Sequence, residues 1–352
     1  MHLHKFTFLL TILCLCHAAQ GASILALFSS LSFADHYVYR GYVELLARNG
    51  HSVVVMTPYP GHFQYPEIEK IVELDVSQES AKYWDEYKKL MTNVDDYFPK
   101  MRKINELAVN VAVSQLRAQQ PMAVFLNPNI GFDLVITEAD VPLLYAVAEK
   151  YKAPHIAITA GSGSLMMYES KGTPNHPLYY PDLNTIFYEK LNIWEKLAEY
   201  VRYMRIRNEY YNNYLRLCQI AAEKLFGLKR DLVSVEQDID LLFVSGTQTL
   251  IGNRPSSPAV IYTDRLHIKP ALSLPQDLKA IMDGAENGCV YFSLGVVQEA
   301  NQLSKTTIQM LMDAFGELPY LVFWKIEDVT AFKKPNNVIT QNWFPQQEML
   351  GE

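Results

Sequence analysis

Two side chains of this sequence have the chemistry to move a proton together. His36 follows the apolar run Ser23-Ile24-Leu25-Ala26-Leu27-Phe28 through a turn of small residues, and Glu138 directly follows a second run, Phe132–Thr137. An imidazole titrates near working pH, so His36 could serve as a general base. A carboxylate accepting the second imidazole N–H would fix the tautomer and stabilise the imidazolium. Glu138 is the first choice for that partner, and Asp140, two residues on, is the fallback. Taken singly each signal is weak. The chain has nine histidines, and an acidic residue in a first helical turn also serves as a dipole partner. Placement joins the two: if both runs are parallel strands, both residues lie at the C-terminal edge of one sheet, where open α/β sheets bind ligands.

A second candidate is a turn. Phe292-Ser293-Leu294-Gly295 is a strand ending in small residues before a helix, and such turns let backbone N–H groups approach a phosphate. Strand–Gly–helix is also a generic α/β joint, so Ser293 and Gly295 need support from elsewhere.

The elements that must position these residues follow one grammar. After the run at 23–28, a helix from about His36 ends at Asn49-Gly50, a good left-handed stop. Ser52–Met56 is the next strand, halted by Pro58. Strand 132–137, helix Val141–Tyr151 and strand His155–Ile158 repeat the pattern, and Tyr83–Val113 reads as an outer helix. Strands alternating with helices predict a parallel sheet covered on both faces. Residues 160–230 break the rhythm: a Gly-Ser and Pro/Tyr-rich loop runs through Pro181, then a helical region spans Asn184–Gly227. That region, with Trp194, Tyr200, Tyr203 and Tyr210 beside Arg202, Arg205 and Arg207, is read as an excursion packed on the main sheet, with contact to a membrane surface as the alternative. A strand at Asp240–Ser245 precedes a connector with Pro255, Pro258, Pro270 and Pro275. A second α/β unit follows, with strand Cys289–Gly295, helix Lys305–Phe315 and strands Tyr320–Lys325 and Asn337–Thr340.

Composition bounds the rest. With 49% hydrophobic and 20% charged residues the chain can bury a sizeable core. Its net charge of −7, spread along the chain, argues against nucleic acid as a partner. Residues 1–21 read as a signal peptide: His2, His4 and Lys5, an apolar run and the small residues Ala18-Ala19-Gln20-Gly21. Cys218 and Cys289 remain beyond it, too few for a disulfide framework and badly spaced for a metal site, so two buried free thiols are expected. There is no Asn-x-Ser/Thr sequon.

One order of motifs is more specific. Phe292-Ser293-Leu294-Gly295, Phe323-Trp324-Lys325, Asn336-Asn337-Val338 and then Trp343-Phe344-Pro345-Gln346 follow one another, after Asp35-His36, Arg40, Glu44-Leu45, Arg48-Asn49-Gly50-His51, Thr57-Pro58, Phe132–Val135, Leu274-Pro275 and Asn287-Gly288. This order resembles the animal, insect-like UDP-glucuronosyltransferase/UDP-glycosyltransferase family along the whole mature chain. The resemblance implies an α/β fold of GT-B type, two facing Rossmann-like domains with the second incomplete: 22–254 for the acceptor, 255–280 as linker and 281–352 for part of the UDP-sugar domain. It implies an inverting hexosyl transfer, glucosyl or glucuronosyl, from a UDP-sugar donor to a hydroxyl of a small lipophilic acceptor. His36 would be the base, supported by Glu138. Trp343 would stack on uracil, Gln346 would hydrogen-bond the nucleoside, and Ser293 and Gly295 would sit near the diphosphate. No metal or other cofactor is implied. The setting would be the secretory pathway, on the lumenal side of the endoplasmic reticulum, with membrane-surface contact and homo-oligomers left open.

The sequence also departs from that family. Glu138 stands where vertebrate members carry Asp, Val296 replaces a serine after the Gly295 turn, and Asp264-Arg265 stand where a Gly-Gly pair is usual. Three family features, a His-Gly-Gly segment, an Asp-Gln pair that reads the sugar and a C-terminal anchor, are not found before Glu352. The chain is therefore expected to fold poorly alone and bind UDP-sugar weakly. Two alternatives stay open: an inactive truncated form that binds lipophilic ligands or pairs with full-length subunits, and a secreted carrier.

Overall fold

The computed structural model describes residues 21–61, 69–92, 96–180, 191–247, 249, 254–295, 303–326 and 329–352. The expected signal peptide, save Gly21, and Val296 lie outside the described residues.

The chain divides after His267 into two compact units. Seven parallel strands build the first: β1 (Ser23–Leu27), β2 (Ser52–Thr57), β3 (Ile71–Asp75), β4 (Leu134–Glu138), β5 (His155–Thr159), β6 (Leu241–Val244) and β7 (Val260–Tyr262). Their spatial order is β3-β2-β1-β4-β5-β6-β7, with Leu25 opposite both Val54 and Val135. The order reverses direction between β1 and β4, so the crevice of a doubly wound sheet opens there. β1 shows why the sheet is covered twice. Leu25 and Leu27 enter one core with Val135, Leu143 and Leu144, while Ile24, Ala26 and Phe28 enter another with Tyr39, Val43 and Val55. A strand apolar at every position is the mark of burial on both faces.

Sequence reading places β1, β2, β4, β5 and β6 within two residues of these bounds and misses β3, whose Glu73 and Asp75 interrupt the apolar pattern. The outer helix expected over Tyr83–Val113 is two helices, Trp84–Thr92 and Tyr97–Leu116. The loop expected after Gly161 contains the helix Leu165–Ser170, whose N-cap Ser164 accepts from Met167 N. In the helical excursion, Ile193–Glu209 and Leu215–Phe226 are joined by a π turn at Tyr210–Tyr214 and stopped by Gly227 in the left-handed conformation. The π turn fastens the excursion to the core: Tyr214 Oη donates to the Asp140 carbonyl at 2.7 Å, and Tyr210 Oη to Glu236 Oε1 at 2.8 Å.

The Pro-punctuated stretch 255–280 contributes to both units. β7 extends the first sheet, and the helix Gln276–Asp283 belongs to the second unit. Between them Arg265 takes a φ of 61°. That left-handed conformation costs a non-glycine residue roughly 1–2 kcal/mol, a cost glycine would not carry.

The second unit holds β8 (Cys289–Phe292), β9 (Leu321–Lys325) and β10 (Val338–Gln341), parallel in the order β10-β9-β8. The helix Lys305–Gly316, capped by Ser304 Oγ on Thr307 N at 3.0 Å, covers one face through Ile308 and Met312. Phe344 and Met349 cover the other, against Phe323. The cysteines correct one expectation. Both are free, but only Cys218 is buried, and Cys289 is exposed at the start of β8.

Candidate active site

The helix Phe33–Arg48 (α1) begins five residues after β1, capped by Ser32 Oγ on Asp35 N at 3.3 Å. Its fourth residue is His36, which therefore sits beside the C-terminal end of β1. Glu138 closes the adjacent β4. The two sequence-predicted residues thus flank the switch point, but they do not hydrogen-bond each other. Glu138 Oε2 accepts the backbone N–H groups of Ser29 and Ser30, each at 2.8 Å. The Ser30 carbonyl in turn accepts from His36 Nε2 at 2.7 Å. One peptide turn links carboxylate to imidazole. Asp140, the fallback partner, is engaged elsewhere and accepts from Thr159 Oγ1 at 3.0 Å.

This arrangement decides the tautomer. A carbonyl only accepts, so Nε2 carries the proton and Nδ1 keeps its lone pair. Nδ1 faces the Thr57 hydroxyl at 3.4 Å, a long contact. Phe28, Tyr39 and Tyr59 surround the imidazole with ring centroids 6.4, 5.7 and 5.0 Å away. His36, Thr57, Tyr59 and Arg40 line a cavity of about 10 Å³, room for roughly one water molecule.

Burial sets the charge states. It pushes the His36 pKa down to about 3, against the Ser30 carbonyl and helped by the nearby Arg40 charge, so the imidazole is neutral at neutral pH. Burial, with Asp140 and Asp35 nearby, pushes Glu138 up to about 8, against the two amides that favour its ionised form. Burial also raises Asp35. Crowded, desolvated carboxyls hold protons. Arg40, part of a sequence motif with no assigned role, is buried beside His36, 5.5 Å from the Tyr37 ring centroid, with Nη2 lacking a hydrogen-bond partner. Its spacing, one helical turn after His36, was the available signal. A second buried guanidinium, Arg254, lies 4.2 Å from the Tyr168 ring centroid with Nε and Nη1 unpartnered. Nothing in the sequence marked it.

In the second unit the remaining candidates converge at the C-terminal ends of β8 to β10. Gly295 turns with a φ of 90°, and its N–H donates to Ser293 Oγ at 3.1 Å. Lys325, the last residue of β9, donates to the Gly295 carbonyl at 2.8 Å and places its ammonium 5.7 Å from the centroid of Trp343. Trp343 follows β10 and is 59% exposed, held outward because the next residue, Phe344, is buried. Gln346 Oε1 accepts from Tyr291 Oη at 3.2 Å. Ser293, Gly295 and Trp343 are therefore joined through Lys325, to which the sequence alone assigns no place in the site. An open indole face, a left-handed glycine turn and an ammonium at one sheet edge suit a base and a phosphate.

These two units define an α/β protein of the GT-B class. Among solved structures, Medicago truncatula UGT71G1 complexed with UDP-glucose matches with a TM-score of 0.52 at 12% identity, over 94% of this chain and 74% of that one. Arabidopsis thaliana UGT89C1 complexed with UDP-L-rhamnose matches with a TM-score of 0.50 at 11% identity, over 94% and 72%. The family described as UDP-glucoronosyl and UDP-glucosyl transferase matches residues 25–352, and the chain belongs to it. Its relatives include an ecdysteroid UDP-glucosyltransferase of Spodoptera littoralis nuclear polyhedrosis virus, 26% identical over 94% of this chain and 68% of the relative. UDP-glucosyltransferase 2 of Dactylopius coccus is 28% identical, over 95% and 64%. The chain thus spans about two thirds of the length of these relatives. Among the described residues no helix is long and apolar enough to cross a membrane.

Proposed function

We propose that this chain moves a hexosyl group from a UDP-sugar to the hydroxyl of a small lipophilic acceptor, with inversion at the anomeric carbon. The observation that carries the reading is His36: an imidazole at the sheet switch point, with its proton held on Nε2 by the Ser30 carbonyl and Nδ1 beside the Thr57 hydroxyl, in the wall of an aromatic-lined cavity. A general base must be unprotonated when its substrate arrives. In this reading Nδ1 takes the acceptor proton, the acceptor oxygen forms a bond to the anomeric carbon, and the bond from that carbon to the UDP oxygen breaks with inversion. UDP leaves as the anion, held at the Ser293–Gly295 turn, with uracil on Trp343 and Gln346 on the nucleoside.

Glu138 takes a positioning role. It anchors the Ser29–Ser30 turn whose carbonyl fixes the His36 tautomer, and its own raised pKa suits it to hold a proton rather than to offer a bare charge. The aromatic walls support a lipophilic acceptor. Since the cavity beside His36 holds about one water, acceptor entry requires those walls to part. Whether the hexose is glucose or glucuronate is left to the donor assay. The scheme needs no metal. The neighbours solved with UDP-glucose and UDP-L-rhamnose support a UDP-linked donor.

The test is calorimetric titration of UDP into the full chain, followed by turnover with UDP-glucose or UDP-glucuronate and a panel of phenols. Binding lost in Trp343→Ala, with turnover lost but binding kept in His36→Gln, is the expected result. Turnover that survives His36→Gln overturns the mechanism.

A further inference from the structure

The turn that fixes the His36 proton is held from a second side. Gln115, on the helix Tyr97–Leu116, is fully buried although its side chain is polar. Its Nε2 donates to the Ser29 carbonyl at 3.1 Å and to Ser80 Oγ at 2.9 Å. These partners settle which way the carboxamide faces. The Ser29 carbonyl only accepts, and Ser80 Oγ already donates its proton to the Val76 carbonyl at 2.6 Å. Both therefore require an N–H, and Nε2 has two to give. Oε1 is left buried with no hydrogen-bond partner. That orphaned oxygen offsets part of what the two bonds contribute to stability, which leaves their effect on the turn as the clearer gain.

The Ser29 carbonyl and the Ser30 N–H belong to one peptide group. Gln115 grips its oxygen end, and Glu138 Oε2 accepts from its N–H end at 2.8 Å. Glu138 also accepts the Ser29 N–H at 2.8 Å. Held at both ends, that peptide cannot rotate without breaking a hydrogen bond. The next peptide group carries the Ser30 carbonyl, which accepts from His36 Nε2 at 2.7 Å. Ser30 Oγ donates to Asp35 Oδ2 at 2.9 Å and so ties the same turn to the first turn of α1. Hydrogen bonds in series also polarise one another. Donation by Gln115 to the Ser29 carbonyl makes the Ser30 N–H a stronger donor to Glu138.

We propose that Gln115 is a positioning residue for the proton transfer: by holding the Ser29–Ser30 peptide opposite Glu138, it keeps the Ser30 carbonyl on His36 Nε2 and the proton off Nδ1. It acts through the turn, with no hydrogen bond to His36 itself. The catalytic half of this role rests on His36 as the base. The structural half, the tautomer, is readable without any turnover.

Nitrogen-15 NMR of the full chain labelled at histidine reads that tautomer, with His36→Gln assigning the signal. The parent should show Nε2 protonated and Nδ1 bare. Gln115→Leu keeps the bulk and removes both donors, so its His36 signal should become a mixture of the two tautomers. Its kcat should fall at least about tenfold with the KM for UDP-sugar unchanged, a share of the 100- to 10,000-fold that a positioned base supplies. Gln115→Glu gives a second handle. A buried carboxyl meeting Ser29 opposite Glu138 keeps its proton at low pH, and only the protonated form can donate to the Ser29 carbonyl. Its kcat relative to the parent should be highest at low pH and fall as pH rises, whereas the Gln115→Leu ratio should stay flat. A Gln115→Leu chain that melts lower yet keeps the pure Nε2–H tautomer overturns the proposal. So does a Gln115→Glu ratio no higher than that of Gln115→Leu at any pH. If turnover survives His36→Gln, the reaction scheme fails, and the tautomer measurement alone still decides for or against Gln115.

Discussion

The C-terminal edges of the two sheets are built on the same pattern and finished in opposite ways. At the first, His36 and Glu138 are buried and joined through the Ser29–Ser30 turn, and Asp35 meets that turn through the Ser30 hydroxyl. At the second, Trp343, Gln346 and Gly295 stand exposed, with Lys325 as the joining group. In the proposed reaction the two edges would serve different tasks. A proton transfer gains from exclusion of water and fixed dipoles, whereas a nucleotide needs an open aromatic face and a free turn. Desolvation also makes the first site costly to disturb and the second cheap.

The largest effect should come from His36→Gln, which removes the base and keeps the side chain polar. Turnover should fall about 100- to 10,000-fold with UDP affinity unchanged. A parallel loss of UDP affinity would assign His36 to donor binding and erase the contrast between the edges. Next is Glu138→Ala. It leaves the buried Ser29 N–H unpaired, at about 1–3 kcal/mol, and the half-buried Ser30 N–H as well, so a loss of several degrees in melting temperature is expected. Glu138→Gln keeps an acceptor oxygen and should recover most of that loss. Equal destabilisation by both variants would show that the charge, not the two bonds, is what the turn requires.

Trp343→Ala at the open edge should weaken UDP about 10- to 100-fold by calorimetry, the range of base–aromatic stacking, with the melting temperature unchanged. A destabilised variant would mean that Trp343 is structural and the second edge is not open in the sense argued. The pH dependence sharpens the comparison further. The Glu138 pKa, about 8 when folded, lies above its ordinary value of 4.5. The folded state therefore keeps a proton that the unfolded state releases, and stability falls as pH rises between those values. The slope is at most about 1.4 kcal/mol per pH unit. Glu138→Gln removes that slope, so its melting temperature should gain on that of the parent as pH rises. Parallel curves would show Glu138 ionised in the folded state. Burial works in the opposite sense on His36: its folded pKa of about 3 lies below 6.5, so stability is lost as pH falls through that window. The smallest effect is outside both edges. Arg265→Gly relieves the left-handed backbone at 61° and should stabilise by about 0.5–1 kcal/mol in chemical denaturation. A loss instead would mean that the Arg265–Asp264 ion pair outweighs the strain.

Much of the first unit was legible because its strands carry unbroken apolar runs such as Ile24–Leu27 and Val53–Met56. Strands buried on both faces, such as Ser23–Leu27 and Ser52–Thr57, announce themselves without alternation. Ile71–Asp75 was not legible, because a strand bordering the sheet carries Glu and Asp and resembles a loop. The candidate residues were legible at the second edge through one ordered motif, from Ser293 to Gln346. At the first edge the sequence named His36 and Glu138 but put them in direct contact. The intervening Ser29–Ser30 turn could not be foreseen, because its role lies in backbone N–H and carbonyl groups that carry no sequence signature.

By itself, then, the sequence determined the parallel α/β architecture, the family and the identity of the charged and aromatic candidates, since periodicity, turn residues and motif order are local properties. Only the tertiary structure decided which groups share a peptide turn, which histidine nitrogen keeps its lone pair and which buried carboxamide reaches that turn. Those depend on strand order and burial, where residues more than 100 positions apart, such as Ser29 and Glu138, come to share a hydrogen bond.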